Sequence, residues 1–206
     1  MAYNRANIIL EVRDAFYEAT ADFFTDAQLQ RFLKQEIRSL PRKNIYLEEL
    51  WTTSTVVDQI DYTLPTGTYK VEFVERNVGT AAAPDWDEQK GWDQYAGALY
   101  LVARPSTIWT MRIHARKAFS DLTDDTTNSD IPDEKMEVAI WGTVVRAYKG
   151  LMGYLKNAKN WDAIAKPDGV SLTQIQAWLR DAKTEYKELV QSYKTFPKPR
   201  DIDLVG

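Results

Sequence analysis

Apolar positions change rhythm along this chain. Over residues 3–20, Ile9, Val12, Phe16 and Ala19 recur at helical spacing. A second helix follows in FFTDAQLQRFLKQEIRSLP. Thr25 and Gln28 stand as an S/T-x-x-E/Q capping box, with Phe24 and Leu29 at the positions of a hydrophobic staple. Leu29, Phe32, Leu33, Ile37 and Leu40 line one face, and Pro41 ends the run.

From Trp51 to Lys117 the period moves towards two. STVVDQIDYTLPTG (54–67) reads as a hairpin: β-branched Thr55-Val56-Val57, a break at Asp58-Gln59, then Ile60–Leu64 stopped by Pro65 and Gly67. Tyr69, Val71 and Phe73 alternate with Lys70, Glu72 and Val74, as in a strand with one wetter face. Residues 79–97 begin with small residues and end with aromatics, and read as a long loop. ALYLVA (98–103), the turn RPST and IWTMRIHARKA (108–118) read as a second hairpin.

The helical period then returns. Pro132 suits a first helical position, and Asp133 and Glu134 suit the positive end of the dipole. Met136, Ile140, Val144, Ala147, Tyr148, Leu151 and Leu155 follow at helical spacing. Gly142, Gly150 and Gly153 weaken this helix by about 1 kcal/mol each relative to Ala, which points to close approach of a neighbouring backbone. After the turn KPDG, Ser171 and Gln174 form another capping box, with Val170 and Ile175 as its staple. Ile175, Trp178, Ala182, Tyr186, Leu189 and Tyr193 stripe the last helix, while Pro197 and Pro199 force the end to be extended. The pattern predicts an α+β, mainly helical single domain. It comprises a helix bundle from 1–50 and 130–195, an inserted small antiparallel β-lobe at 51–118, an acidic linker at 119–131 and an extended C-terminal arm at 196–206.

Composition narrows what such a chain does. A net charge of −4 argues against gripping nucleic-acid phosphates. Aromatic content of 12%, with 7 Trp and 11 Tyr, exceeds the needs of an ordinary core and hints at further surface to be buried. The most apolar stretch, VAIWGTVV (138–145), is too short to span a bilayer, so no membrane partner is expected. Charges in MAYNRANIILEVRD stand where a signal peptide needs an apolar run. With no Cys there is neither disulfide nor thiolate metal site, which suits a reducing cytoplasm.

Candidate chemistry is thin. His114 is the only histidine, so histidine-based triads and multi-histidine metal sites have no material. Asp121, Asp124, Asp125, Asp130 and Asp133 lack the spacing, glycine and closing glutamate of a calcium loop, and read as a solvated linker. Glu48 and Glu49 beside Trp51 are the material for a cell-wall glycosidase, one alternative function, since two carboxyls suffice for that chemistry. A helical scaffold binding one protein partner is the other. No catalytic, cofactor or metal residue is assigned. WDEQKGWDQY (86–95) carries rings that could stack on sugar or pack on protein, folding back on the sheet being simplest. In the tail, Phe196, Ile202, Leu204 and Val205 are interleaved with Lys198, Arg200, Asp201 and Asp203, and Pro197 and Pro199 stiffen it. A frayed end is the plain alternative, but the segment reads as an arm.

The order of parts carries a resemblance. The capped helix FTDAQLQRFLKQEIRSL, the lobe opener QIDYTLPTGTYKVEFVE, the segment LYLVARPSTIWTMRIHA and the exit DIPDEKMEVAIWGTVVRAYKGLMG resemble the head-to-tail adaptor (head completion or connector) proteins of tailed bacteriophages. The resemblance covers roughly residues 25–160 and lies in arrangement more than in a signature. It implies a structural virion protein at the head-tail junction, made in the host bacterial cytoplasm, and not an enzyme. Copies would form a ring of about twelve subunits beneath the portal protein, with genome DNA passing through the lumen without specific binding. Phe196, Pro197, Lys198, Pro199, Arg200, Ile202, Leu204 and Val205 would engage the portal. Tyr62, Tyr69, Phe73, Trp86, Trp92 and Tyr95 would meet neighbouring subunits or the next tail or stopper component.

Overall fold

A computed structural model describes residues 3–16, 24–157 and 172–194. The chain divides into two compact units. A helical one is formed by the residues up to Ile45 and those from Ser120 on, and a sheet unit spans Tyr46–Phe119.

In the helical unit, α1 (Arg5–Ala15) is capped by the Asn4 side chain, which accepts from the Asn7 N–H. α2 (Asp26–Ile37) starts at the capping box that the sequence predicts, with Thr25 and Gln28 each satisfying the other's backbone. The α-helix stops at Ile37, and Pro41 sits inside a 3-10 turn, Leu40–Lys43. α3 (Asp133–Asn157) packs against α1, α2 and α4 (Leu172–Lys194). Ile8, Val12, Leu29, Leu33, Met136, Val144 and Ile175 are almost fully buried, on the faces that helical spacing selects. Leu155 falls within α3, while Ala19, the capping box at Ser171, its staple at Val170 and the arm 196–206 lie outside the residues described here.

A carboxylate sits among these helices. Glu36 is 1% exposed. It accepts from Arg146 Nε at 2.6 Å, Lys43 Nζ at 2.6 Å and the Tyr186 hydroxyl at 2.6 Å. Ser39 Oγ receives Lys43 and Arg146, each at 2.9 Å. Burial pushes the Glu36 carboxyl up, but the bonds from Lys43, Tyr186 and Arg146 outweigh it and hold the group below its ordinary value. Lys43 is lowered because burial outweighs the pull of Glu36. Gly142 makes room: a Cβ there would lie 2.4 Å from Glu36 Cδ. A Cβ at Gly150 would meet the Phe32 ring at 3.0 Å, and none of the atoms near Gly153 comes within 4 Å. The approach is therefore to side chains at Gly142 and Gly150, not to a neighbouring backbone, and Gly153 has none.

The sheet unit holds two antiparallel sheets. In one the order is β1 (Leu47–Ser54), β7 (Thr110–Lys117), β3 (Thr68–Asn77) and β4 (Trp86–Glu88). In the other it is β2 (Asp61–Thr63), β6 (Ala98–Leu101) and β5 (Trp92–Tyr95). Tyr62, Leu64, Val71, Val74, Leu99, Leu101, Met111 and Ile113 make the core, with Trp51, Trp92 and Trp109 packed on it. Leu47 faces Lys117 across the first ladder, so the chain enters and leaves the unit at adjacent positions.

Several expectations change. Neither hairpin read from the sequence forms: β1 pairs with β7 and β2 with β6, while β6 and β7 belong to different sheets. The break at 55–60 is built by the Thr55 hydroxyl, which accepts the Trp109 N–H at 2.9 Å, and by Asp58 in a left-handed conformation. Residues 79–97, read as loop, contain β4 and β5, and β1 begins before Trp51. Helix takes 42% and strand 25% of the described residues, so the fold is mixed α+β, as the expected α+β class has it.

Candidate protein-docking surfaces

On β7 the alternation is strict: Met111, Ile113 and Ala115 face the core, and Arg112, His114 and Arg116 face the other way. Register brings Leu50 and Phe73 beside His114, and Glu75 and Thr52 beside Arg112. Glu75 Oε2 accepts from Arg112 Nε at 2.7 Å and lies 2.8 Å from His114 Nε2. Burial raises the Glu75 carboxyl, but Arg112 and His114 lower it further, leaving it below its ordinary value. The His114 ring stacks on Phe73 with centroids 3.8 Å apart. The Arg112 guanidinium lies 4.2 Å from the Trp86 ring centre, and Arg116, paired with Glu72 at 2.5 Å, lies 4.0 Å from that of Tyr46. Each cation is thus neutralised and set on an aromatic face. Arginine with half-covered aromatics is the composition of interface centres.

A second surface lies at one rim. Val56 is 52% exposed, Val57 46%, Val102 79% and Ile108 70%. Continuing the β1–β7 register by two places sets Val56 opposite Ile108. The two loops are tied together: the Asp58 N–H donates to the Pro105 carbonyl at 3.0 Å, and Arg104 donates to the Asp58 carbonyl at 3.2 Å. Four exposed aliphatic residues on two bonded loops make this rim a candidate docking surface.

The residues singled out from sequence fall differently. Tyr62 is buried, its hydroxyl donating to the Gln59 carbonyl at 3.0 Å, so its ring packs in the sheet core. Trp92 also packs on the core. Phe73 and Trp86 belong to the outer sheet face, while Tyr69 and Tyr95 are exposed. The arm residues from Phe196 to Val205 lie outside the described residues. Glu48 and Glu49 point to opposite faces of β1, and Glu49 pairs with Lys117 at 3.3 Å, so they are not a carboxylate pair about one bond.

The acidic stretch is partly taken up internally. Asp121 bonds Arg38, Asp125 bonds Arg5, Asp130 accepts the Ser120 N–H, and Asp124 accepts from Thr126 and Thr127. Among the described residues no three His, Cys, Asp or Glu side chains gather as a metal site, and no helix is long and apolar enough to cross a membrane. The rim residues Val56, Val57, Val102 and Ile108 were missed. Their apolarity was visible, but only the two connections, from β1 to β2 for Val56 and Val57 and from β6 to β7 for Val102 and Ile108, leave them open to water.

Arginines set on aromatic faces and an open aliphatic rim are surfaces of the kind that protein partners cover. No curated protein matches this chain. The model of the SU10 adaptor protein family matches residues 3–201, and the chain belongs to that family. It is a family of phage structural adaptors, which agrees with the resemblance read from the sequence.

Proposed function

We propose that this chain is the subunit of a homo-oligomeric head-to-tail adaptor ring seated beneath the portal of a tailed phage, with genome DNA passing through its lumen. The observation that carries the reading is the family match over residues 3–201. The exposed rim and the outer sheet face support it, because a ring subunit needs unlike surfaces that close by heterologous contacts. In this reading the sheet unit meets neighbouring subunits or the next tail component, using Phe73, Trp86, Tyr69, Tyr95 and the rim. The arm from Phe196 to Val205 binds the portal. Its apolar side chains each contribute about 1.5–3 kcal/mol when buried, and repetition around the ring multiplies the attachment. A net charge of −4 suits a conduit that does not hold DNA.

The test mixes the protein with portal-bearing heads and follows co-sedimentation and particle images. The intact chain should form a ring on the portal vertex, and deletion of residues 196–206 should abolish attachment while leaving circular dichroism and melting unchanged. Heads that stay bare with the intact chain overturn the reading. Heads that bind the truncated chain overturn the role of the arm.

A further inference from the structure

The Thr55 N–H donates to the Trp109 carbonyl at 2.8 Å. The same frame continues through Thr53↔Met111, Trp51↔Ile113, Glu49↔Ala115 and Leu47↔Lys117. In an antiparallel ladder, pairs that exchange hydrogen bonds alternate with pairs whose backbone groups point away. The N–H and C=O groups of Glu48, Leu50, Thr52 and Ser54 therefore point out along the free edge of β1, the terminal strand of its sheet. Their side chains are exposed, and no Pro, Gly or Lys interrupts Leu47–Ser54. Proteins ordinarily blunt such an edge with charge, proline, a bulge or a covering segment.

We propose that β1 pairs with β1 of a second copy of this chain, antiparallel and centred on Trp51, joining two four-stranded sheets into one. Length selects the partner. β2 and β4 span three residues each, and Gln94 of β5 is already turned onto the Val71 N–H at 2.7 Å. Among the described residues only another β1 presents an edge as long as β1 itself. Register follows from parity: centring on Trp51 sets Glu48 against Ser54 and Leu50 against Thr52, using every outward-pointing residue of the strand. On the core side Glu49 then faces Thr53, and Trp51 faces its own copy as a close, non-hydrogen-bonded aromatic pair. No acid faces an acid. Pairing with β4 instead would bring Asp85, Asp87 and Glu88 against Glu48 and Glu49. The contact is isologous, and it does not rest on the ring reading, whose contacts are heterologous.

Sedimentation velocity across a series of about 1–100 μM, the range of a modest interface, tests this directly. The free chain should show a reversible dimer. Thr52→Pro removes one outward N–H and none of the bonds to β7, and should weaken the dimer by about tenfold or more. Ser54→Glu sets an acid opposite Glu48 at both ends and should weaken it about threefold to tenfold at low salt. Adding Glu48→Lys to Ser54→Glu should restore it. These last two changes sit at exposed positions, so they decide the matter if Thr52→Pro fails to fold. A monomer throughout, a dimer indifferent to Thr52→Pro and Ser54→Glu, or no recovery on adding Glu48→Lys overturns the proposal.

Discussion

Glu36 gathers Lys43, Arg146 and Tyr186 around one buried carboxylate, and its two oxygens are both engaged. Breaking a buried ion pair by removing one partner costs about 3–5 kcal/mol, because the remaining charges are stranded. Glu36→Gln keeps the shape but strands Lys43 and Arg146, and should lower stability by roughly 3 kcal/mol in urea unfolding at neutral pH. The pH dependence has a definite sign. The folded-state carboxyl lies below its ordinary value of 4.5, so its stabilisation is complete above that value and is lost as pH falls through the folded value. Wild-type stability should therefore decline below about pH 4.5, and the gap between wild type and Glu36→Gln should narrow there. A gap that stays constant into acid would show that the carboxylate's charge is not what stabilises the site. None of this could be read from the sequence, since Arg146 and Tyr186 lie 110 and 150 residues away from Glu36.

At the scale of elements, what was legible was local. The Thr25–Gln28 box is a contact three residues long, and the apolar stripes of α2 and α3 need only the pitch of a helix. Strand partners were not local. β1 and β7 face each other across the whole sheet unit, so sequence adjacency suggested hairpins that do not form. β4 and β5 hid because each is short, β4 following a run of small residues and β5 the polar stretch Glu88–Gly91. The docking surfaces were half visible for the same reason: Phe73 and Trp86 stood out as aromatics, but Arg112 and Glu75 acquire their meaning only through register. The packing of α2 on α3 supplies a test at this scale. Gly142→Ala should improve helix propensity by about 1 kcal/mol, yet the new Cβ would overlap Glu36. Overpacking costs about 1–3 kcal/mol, so the variant should be less stable than wild type by thermal melting. Gly153→Ala, on the same helix with open space, should be neutral or stabilising, and equal effects at the two positions would contradict the steric account.

For the whole molecule, the division into a helical and a sheet unit matters more than either alone. The sheet unit has its own core of Tyr62, Leu64, Val71, Val74, Leu99, Leu101, Met111 and Ile113. Residues 46–119 expressed alone should therefore fold. They should give a cooperative melt and a shifted tryptophan emission, since Trp51, Trp92 and Trp109 pack on that core. A broad, non-cooperative transition would show that the core is incomplete without the helices. The pairing of Leu47 with Lys117 carries this further. Because both chain crossings lie side by side, the sheet unit is grafted at one spot, and the parent chain needs only a short bridge where it is cut away. Two joins, a few residues apart in space, are all that recombination between phage genomes must match to trade one such unit for another. The sheet unit could in that way change hands while the helical unit is inherited intact.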